Sequence, residues 1–462
     1  MSFTIAVALV GFPLAAIALF TWLRPRRALL VTYIGGWLFL PQAGYKLAGL
    51  PDYGKASAIA LGAVLGATIF AMGKLSQFRP RWVDLPMALF CLWPMASHVA
   101  NGHGPITGMN WVIVNLTTWG IPYLLGRAIF QTYEDVRDLL VAVFIGGLVY
   151  APLCWYEIRM SPQLHTQIYG FMQHNFMQHV RYGGYRPLLF MQHGIMVGTW
   201  MAAATYAGFW LWRERHLDRL WGLRLNLLVP FLLVTTICCK VGSAIGVLIV
   251  GLAAYFGCQI RARALTLIAL GVIPLCYIAV RATGLWSGEG LIELIGQFDA
   301  ERAGSLGARM HQEGFFVGHA GGSPIFGYAD SNFVPTNDEG KWFTRGFDSF
   351  WIINLTMYGW VSVLLAFTSL GLPAMLMAPR KPRTAESARR DGPGIALAII
   401  VGMFAIDCLF NGMINPLYLL CAGGAVSVSR RTEQAHAQTA ATTYAGITWT
   451  AATHEPTGAA RP

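Results

Sequence analysis

Apolar and polar residues do not alternate finely along this chain; the apolar residues gather in blocks. Runs with suitable flanks fall near 4–23, 28–45, 57–74, 85–99, 108–127, 138–157, 188–212, 225–239, 241–260, 264–283, 348–376, 394–412 and 415–429. A helix needs about 20 apolar residues to cross the hydrocarbon core of a bilayer. The pattern therefore predicts an all-α protein, a polytopic transmembrane bundle of about 12–13 helices. Very short separators divide 225–239 from 241–260 and 394–412 from 415–429. The residues up to Phe20 show no basic start and no small-residue cleavage site before Arg24, Arg26 and Arg27, which predicts a first membrane anchor. After Arg431 the chain is rich in Ala and Thr without apolar periodicity, so 431–462 reads as a disordered tail.

Composition changes the picture only by excluding rivals. The 462 residues are 55% hydrophobic and 12% charged, about half the charge of a soluble domain. That excludes a soluble enzyme, a disordered chain and a fibrous one. The formal net charge of +11 would raise nucleic acid as a partner in a soluble protein. Here the basic residues sit in short clusters between apolar runs, as topogenic charge does, so no nucleic-acid partner is expected. The eight Cys lie in or beside apolar runs without metal-ligand spacing and read as small core- or lipid-facing residues.

The basic residues then set an expected orientation. With the N-terminus outside and strict alternation, 22 of the 33 Lys and Arg residues fall on the inner side. That split supports thirteen spans, N-terminus out and C-terminus in. Two long external segments result, about 159–187 and 282–347. The second carries an amphipathic stretch at 290–318, which predicts one or two helices at the membrane surface.

In a chain so poor in charge, the external polar residues can be weighed one by one. Phe-Met-Gln-His recurs at 171–174, 176–179 and 190–193. The histidine spacings of five and fourteen match no standard ligand pattern, and no Cys or carboxylate accompanies them. An aromatic-rich loop lining a cavity is the better reading, with no metal. Arg181 and Arg186 either grip an anionic group or snorkel to lipid phosphates. Lys240 stands between two apolar runs on the outer side. It is either a functional cation or a basic turn residue. Arg309 and Glu313 are i,i+4 neighbours on a helix from about Ser305 and can simply pair. Asp348 opens an apolar run as an N-cap or as a candidate base. Asp407, inside the twelfth run, either holds helices together or serves a site.

The run Arg309, Pro324-Ile325-Phe326-Gly327-Tyr328, Asp348-Ser349-Phe350-Trp351 and Tyr358-Gly359 resembles the core of the O-antigen ligase and O-antigen polymerase-like membrane proteins. Those proteins show an external Arg, a Pro-x-x-Gly-x-Gly turn, and then a His-Asn or similar pair opening a membrane helix that ends in Gly. Arg186-Pro187 with His193-Gly194, Gly198 and Met201 resembles the family's Arg-Pro helix opening. Cys238 to Gly251 resembles its Thr-x-Ser-Arg-Gly helix, with Lys240 near the Arg. The resemblance covers roughly 180–375. Lys240 stands where the family usually has Arg, and Asp348 where the ligases have His. The Asp-Ser-Phe-Trp form looks closer to the branch beside exopolysaccharide and exosortase gene clusters.

The resemblance implies a GT-C-like fold and a glycosyltransferase that needs no metal or other cofactor. It would move a glycan from undecaprenyl pyrophosphate to an acceptor hydroxyl at the periplasmic face of the inner membrane. Membrane lipid, the carrier-linked glycan and other polysaccharide assembly proteins are the partners this implies. Residues 158–376 would form the core, with periplasmic loops 158–187 and 284–347, between N-terminal helices in 1–157 and C-terminal helices in 377–430. Asp348, Arg309 and Lys240 would be catalytic. Arg181, Arg186, Arg302, Glu313, His193 and Asp407 would contact pyrophosphate or glycan. The chemistry is compatible: fixed cations at a membrane edge can hold a pyrophosphate leaving group, and a carboxylate can take the acceptor proton. A rival reading is a transporter or flippase for a lipid-linked sugar or another amphiphile, binding through the same cations without chemistry. Inverted repeats would favour that reading, and the sequence shows none. A structural assembly protein is a third, weaker option.

Overall fold

The computed structural model describes residues 3–259, 262–330, 349–378 and 385–429, apart from the side chains of 301–302 and 385–390. Its helices in chain order are α1 (Phe3–Trp22), α2 (Pro25–Phe39), α3 (Lys55–Ser76), α4 (Leu85–Ala100), α5 (Pro105–Asn115), α6 (Ile121–Ile129), α7 (Tyr133–Met160), α8 (Leu164–Tyr169), α9 (Gly194–Arg213), α10 (Leu225–Cys238), α11 (Gly242–Gln259), α12 (Arg263–Ala282), α13 (Glu289–Gly296), α14 (Ala300–Ala320), α15 (Phe350–Met377), α16 (Ala385–Phe410) and α17 (Pro416–Ser429). Eight helical stretches are long and apolar enough to cross a membrane. The protein is therefore an all-α, multi-pass membrane protein. Helix α1 exposes Phe3, Val7, Val10 and Leu14 as one stripe, which only a lipid solvent tolerates. Helices α9 and α16 are buried nearly all round, as the apolar centre of a bundle must be.

Every apolar run coincides with helix, but three helices differ from their runs for local reasons. Helix α2 stops at Phe39 because Leu40 precedes Pro41 and is extended. The run 108–127 is not one α-helix. A π-turn, Leu116–Gly120, separates α5 from α6, where Pro122 has no N–H to donate. Helix α9 starts at Gly194 because the backbone of 188–191 is bonded to other parts of the molecule, as described below.

The helix ends sort into two rims. At one rim Arg26 at the start of α2 pairs with Asp135 (2.8 Å) and Asp138 (3.3 Å) of α7. Arg127 of α6 pairs with buried Asp84 just before α4 (2.8 Å). Arg263 of α12 reaches Asp391 of α16 (3.5 Å), and Tyr255 of α11 donates to Glu214 after α9 (2.6 Å). At the opposite rim lie the 161–193 loop, the Lys240 turn, α13, α14 and the start of α15.

Helix α15 is broken at Gly359 (φ 75°), and the turn 323–328 fills the break. Trp360 N–H donates to Pro324 O (2.8 Å), Tyr328 N–H to Thr356 O (2.8 Å) and Ala329 N–H to Met357 O (2.9 Å). A Cβ at Gly359 would run into the Ile325 carbonyl, and one at Gly327 (φ 63°) into the backbone of Met357 and Tyr358. Helix α4 covers this junction. Ser97 donates to Phe326 O (2.5 Å), Trp93 to Tyr358 O (2.8 Å) and Asn101 to Gly327 O (3.0 Å). Unwound backbone at membrane depth survives only when its polar groups are satisfied in this way.

Candidate functional site

Two buried ionisable side chains in the helices build the rim that carries the site. Glu157, in the last turn of α7, accepts four backbone N–H bonds. Oε1 takes Gln163 (3.0 Å) and Leu164 (2.9 Å); Oε2 takes Leu188 (2.7 Å) and Leu189 (2.8 Å). Lys55, buried at the start of α3 over the Trp37 ring, donates to Phe190 O (2.7 Å). Gln173 holds the carbonyls of Leu189 (2.7 Å) and Met191 (3.1 Å). The chain is thus fixed at both ends of the loop, and His193 is delivered as the N-cap of α9, its Nδ1 accepting from Ile195 N–H (3.1 Å).

Beyond the 3₁₀ turn Phe176–His179, Val180–Arg181 (β1) and Gly184–Tyr185 (β2) form a two-stranded hairpin. Lys240, in left-handed backbone (φ 56°) between α10 and α11, props it. Its ammonium donates to Arg181 O (2.9 Å) and Tyr182 O (3.3 Å). The Arg186 stem crosses the start of α9 so closely that a Cβ at Gly194 would strike it. Its guanidinium reaches Lys240 O (3.4 Å). Burial and then Arg181 hold its pKa down to about 10, which still leaves it charged at neutral pH.

Helix α14 closes the rim. Buried Glu313 does not take the i,i+4 partner that the helical spacing offers. Its Oε2 accepts from Arg281 Nε (2.9 Å), and its oxygens accept from Tyr277 (3.0 and 3.2 Å) and Trp351 (3.4 Å). Burial pushes the Glu313 carboxyl above the usual carboxylate range, while Arg281 and Tyr277 pull the other way. Arg281 also donates to the carbonyls of Trp286 (2.8 Å), Ser287 (2.9 Å) and Met310 (2.6 Å). This buried pair fixes α14 to α12, and it leaves Arg309 one turn away at a small recess. Arg309, Gln312, Glu313, Phe316, Ser349 and Phe410 line that recess. Arg309 acts electrostatically on Arg186, His193 and Asp407. Asp407 accepts from Asn411 Nδ2 (2.6 Å), which also reaches Ser243 of α11 (3.3 Å).

The arrangement concentrates cationic groups at one rim of an apolar bundle, with Arg309 among them at the recess, a setting in which guanidinium groups can hold an anion. No family model matches the chain, and no curated protein or solved structure does either. The site must therefore be read from its own geometry.

Arg309, Arg186, Arg181, His193, Lys240 and Asp407 share one rim, with Glu313 beside them. Lys240 spends its ammonium on the hairpin, and Glu313 spends its carboxylate on Arg281. Asp407 bonds Asn411, whose amide also reaches Ser243 of α11. The N-cap of α15 is Ser349. Asp348 precedes it and lies outside the described residues, as do 331–347, the tail 431–462 and the side chain of Arg302. Sequence reasoning passed over Glu157, Lys55 and Arg281. The signal was present, because each is an ionisable residue in or beside an apolar run and is a site hypothesis by default.

Proposed function

We propose that the protein is a membrane glycosyltransferase of the O-antigen ligase or polymerase type. It takes a glycan from a polyprenyl, expected to be undecaprenyl, pyrophosphate carrier and joins it to an acceptor hydroxyl. The observation that supports this most is the placing of Arg309 at a recess on the membrane rim, with Arg186 close enough to feel its charge. The carrier's pyrophosphate gains negative charge as the glycosidic bond breaks, and fixed guanidinium groups stabilise that charge without reorganising. Arg309 and Arg186 are the leaving-group cations of this reading. Lys240 acts on them by holding the hairpin that carries Arg181 and leads to Arg186. The rim with α14 faces the periplasm, and the membrane is the inner one. Purified protein supplied with carrier-linked glycan and a hydroxyl acceptor should release carrier pyrophosphate only when both are present. Binding of carrier without release in any acceptor series would favour a flippase instead.

The orientation has its own test. Gly304 on α14 is exposed, with open space around its Cα. A Gly304→Cys variant on a cysteine-free background should react with a membrane-impermeant maleimide added from the periplasmic side. Labelling only after the cytoplasmic face is opened would invert the topology.

Asp348 is the base of this reading, one residue before Ser349 on the recess wall. Asparagine keeps the shape and hydrogen-bonding capacity of aspartate but cannot take a proton. Asp348→Asn should therefore lower transfer by roughly 10²–10⁴-fold, the usual worth of a positioned base, with expression intact. Asp348→His should recover part of the loss. Wild-type polysaccharide production from Asp348→Asn in a deletion strain would move the base elsewhere.

A further inference from the structure

Three histidines at sequence separations of five and fourteen meet at the foot of the 170–193 loop. His179 and His193 are buried and His174 is half-buried. One ligand-capable nitrogen from each lies within 4.8 Å of the other two. His179 Nε2 and His174 Nδ1 are 3.2 Å apart. Around a tetrahedral ion with metal–nitrogen bonds of about 2.0–2.1 Å, neighbouring ligand atoms stand about 3.3 Å apart. The separation fits an edge of such a site as well as it fits a hydrogen bond. The other nitrogen of His179, Nδ1, is buried and has no hydrogen-bond partner among the described residues.

We propose that His174, His179 and His193 bind one divalent transition-metal ion, zinc foremost, with a fourth coordination position left open. Three imidazoles and no carboxylate select zinc, copper, nickel or cobalt over magnesium and calcium. Three protein ligands on zinc leave a place for water or an anion. Arg186 and Arg181 act on His179, and Arg186 and Arg309 on His193. Their charge opposes a dication, and a hydroxide or phosphate oxygen in the fourth position offsets that opposition. Bound through either nitrogen, His193 gives up its bond from Ile195 N–H, because a neutral imidazole has one lone pair to offer. The ion ties the loop's first turn to the hairpin and to the start of α9. This site does not depend on the transfer reaction proposed above, which uses fixed cations.

The test uses full-length protein in detergent, freed of any affinity tag, stripped with chelator and titrated with Co²⁺. One equivalent should bind with the intense visible absorption of a tetrahedral site, and Zn²⁺ should displace it. His193→Asn removes the ligand but keeps a side-chain oxygen able to cap α9, and His174→Gln changes a partly exposed position. Each should weaken Co²⁺ binding by more than the roughly 10–100-fold that loss of an outer-shell partner costs. Without metal, the melting temperature of each should stay at the parent's value. Failure of the parent to take up either ion, or binding by both variants at the parent's affinity, would overturn the proposal.

Discussion

Arg309→Ala should reduce glycan transfer by roughly 10²–10³-fold, the cost of removing one fixed donor from a developing oxyanion, and leave the protein folded in the membrane. Arg309 is half-buried at the recess, and the fixing of α14 falls to Arg281 and Glu313 one turn away. Glu313→Ala is the control that separates chemistry from architecture. It strips the buried Arg281 of its carboxylate, and breaking a buried pair from one side costs about 3–5 kcal/mol. It should therefore lower the melting temperature sharply, and because Glu313 also lines the recess, the rate per folded molecule should fall far less than it does for Arg309→Ala. Transfer rate per folded molecule is the measurement. If Arg309→Ala loses stability as Glu313→Ala does, Arg309 is part of the scaffold and the anion must be held elsewhere. Arg309→Lys should retain part of the rate, since a single ammonium supplies the charge but not the two-pronged geometry.

The fold was legible in the sequence because membrane helices are a matter of length and apolarity, and both are written locally. Each of the thirteen runs contains helix, and eight of them hold a helix long and apolar enough to cross a membrane. The differences sit where a local breaker acts, at Leu40–Pro41 and Pro122, or where distant groups claim the backbone, at 188–191. The site was legible in part. Arg309 and Arg186 stood out as external cations, and the structure puts them on one rim. Glu157 and Lys55 were not read because their role is to satisfy backbone groups far away in sequence, Leu188, Leu189 and Phe190, and no spacing rule reports that. The partner of Glu313 was not legible for a related reason. A helical repeat can suggest Arg309 at i−4, but not Arg281, which reaches in from another helix. The histidines illustrate the same limit. Their sequence spacing fits no ligand pattern, yet a loop held at both ends brings their nitrogens together.

Glu157→Ala should be among the most damaging single changes in the protein. Its two oxygens satisfy four amides, those of Gln163, Leu164, Leu188 and Leu189, on the two arms of the 161–193 loop. A hydrogen bond to a charged acceptor is worth about 1.5–3 kcal/mol, and a buried donor left without one bears its desolvation cost. The four losses overlap, because the arms relax together once one is released. Even so, the total should be several kcal/mol, enough to free the segment that carries His174, His179, Arg181 and Arg186. Proteolysis within 161–193 and faster amide exchange at Leu188 and Leu189 would report the release, with α7 and α9 themselves still protected. Glu157→Gln refines the argument. It keeps one oxygen for one arm and presents an NH₂ group to the other, so two donors then face two donors. Its loop should open on one arm only, and its stability should fall between the parent and the alanine variant. A glutamine variant as protected as the parent at all four amides would show that charge on Glu157 is not what holds the arms. Lys55, donating to Phe190 between them, would then be the residue on which the loop depends.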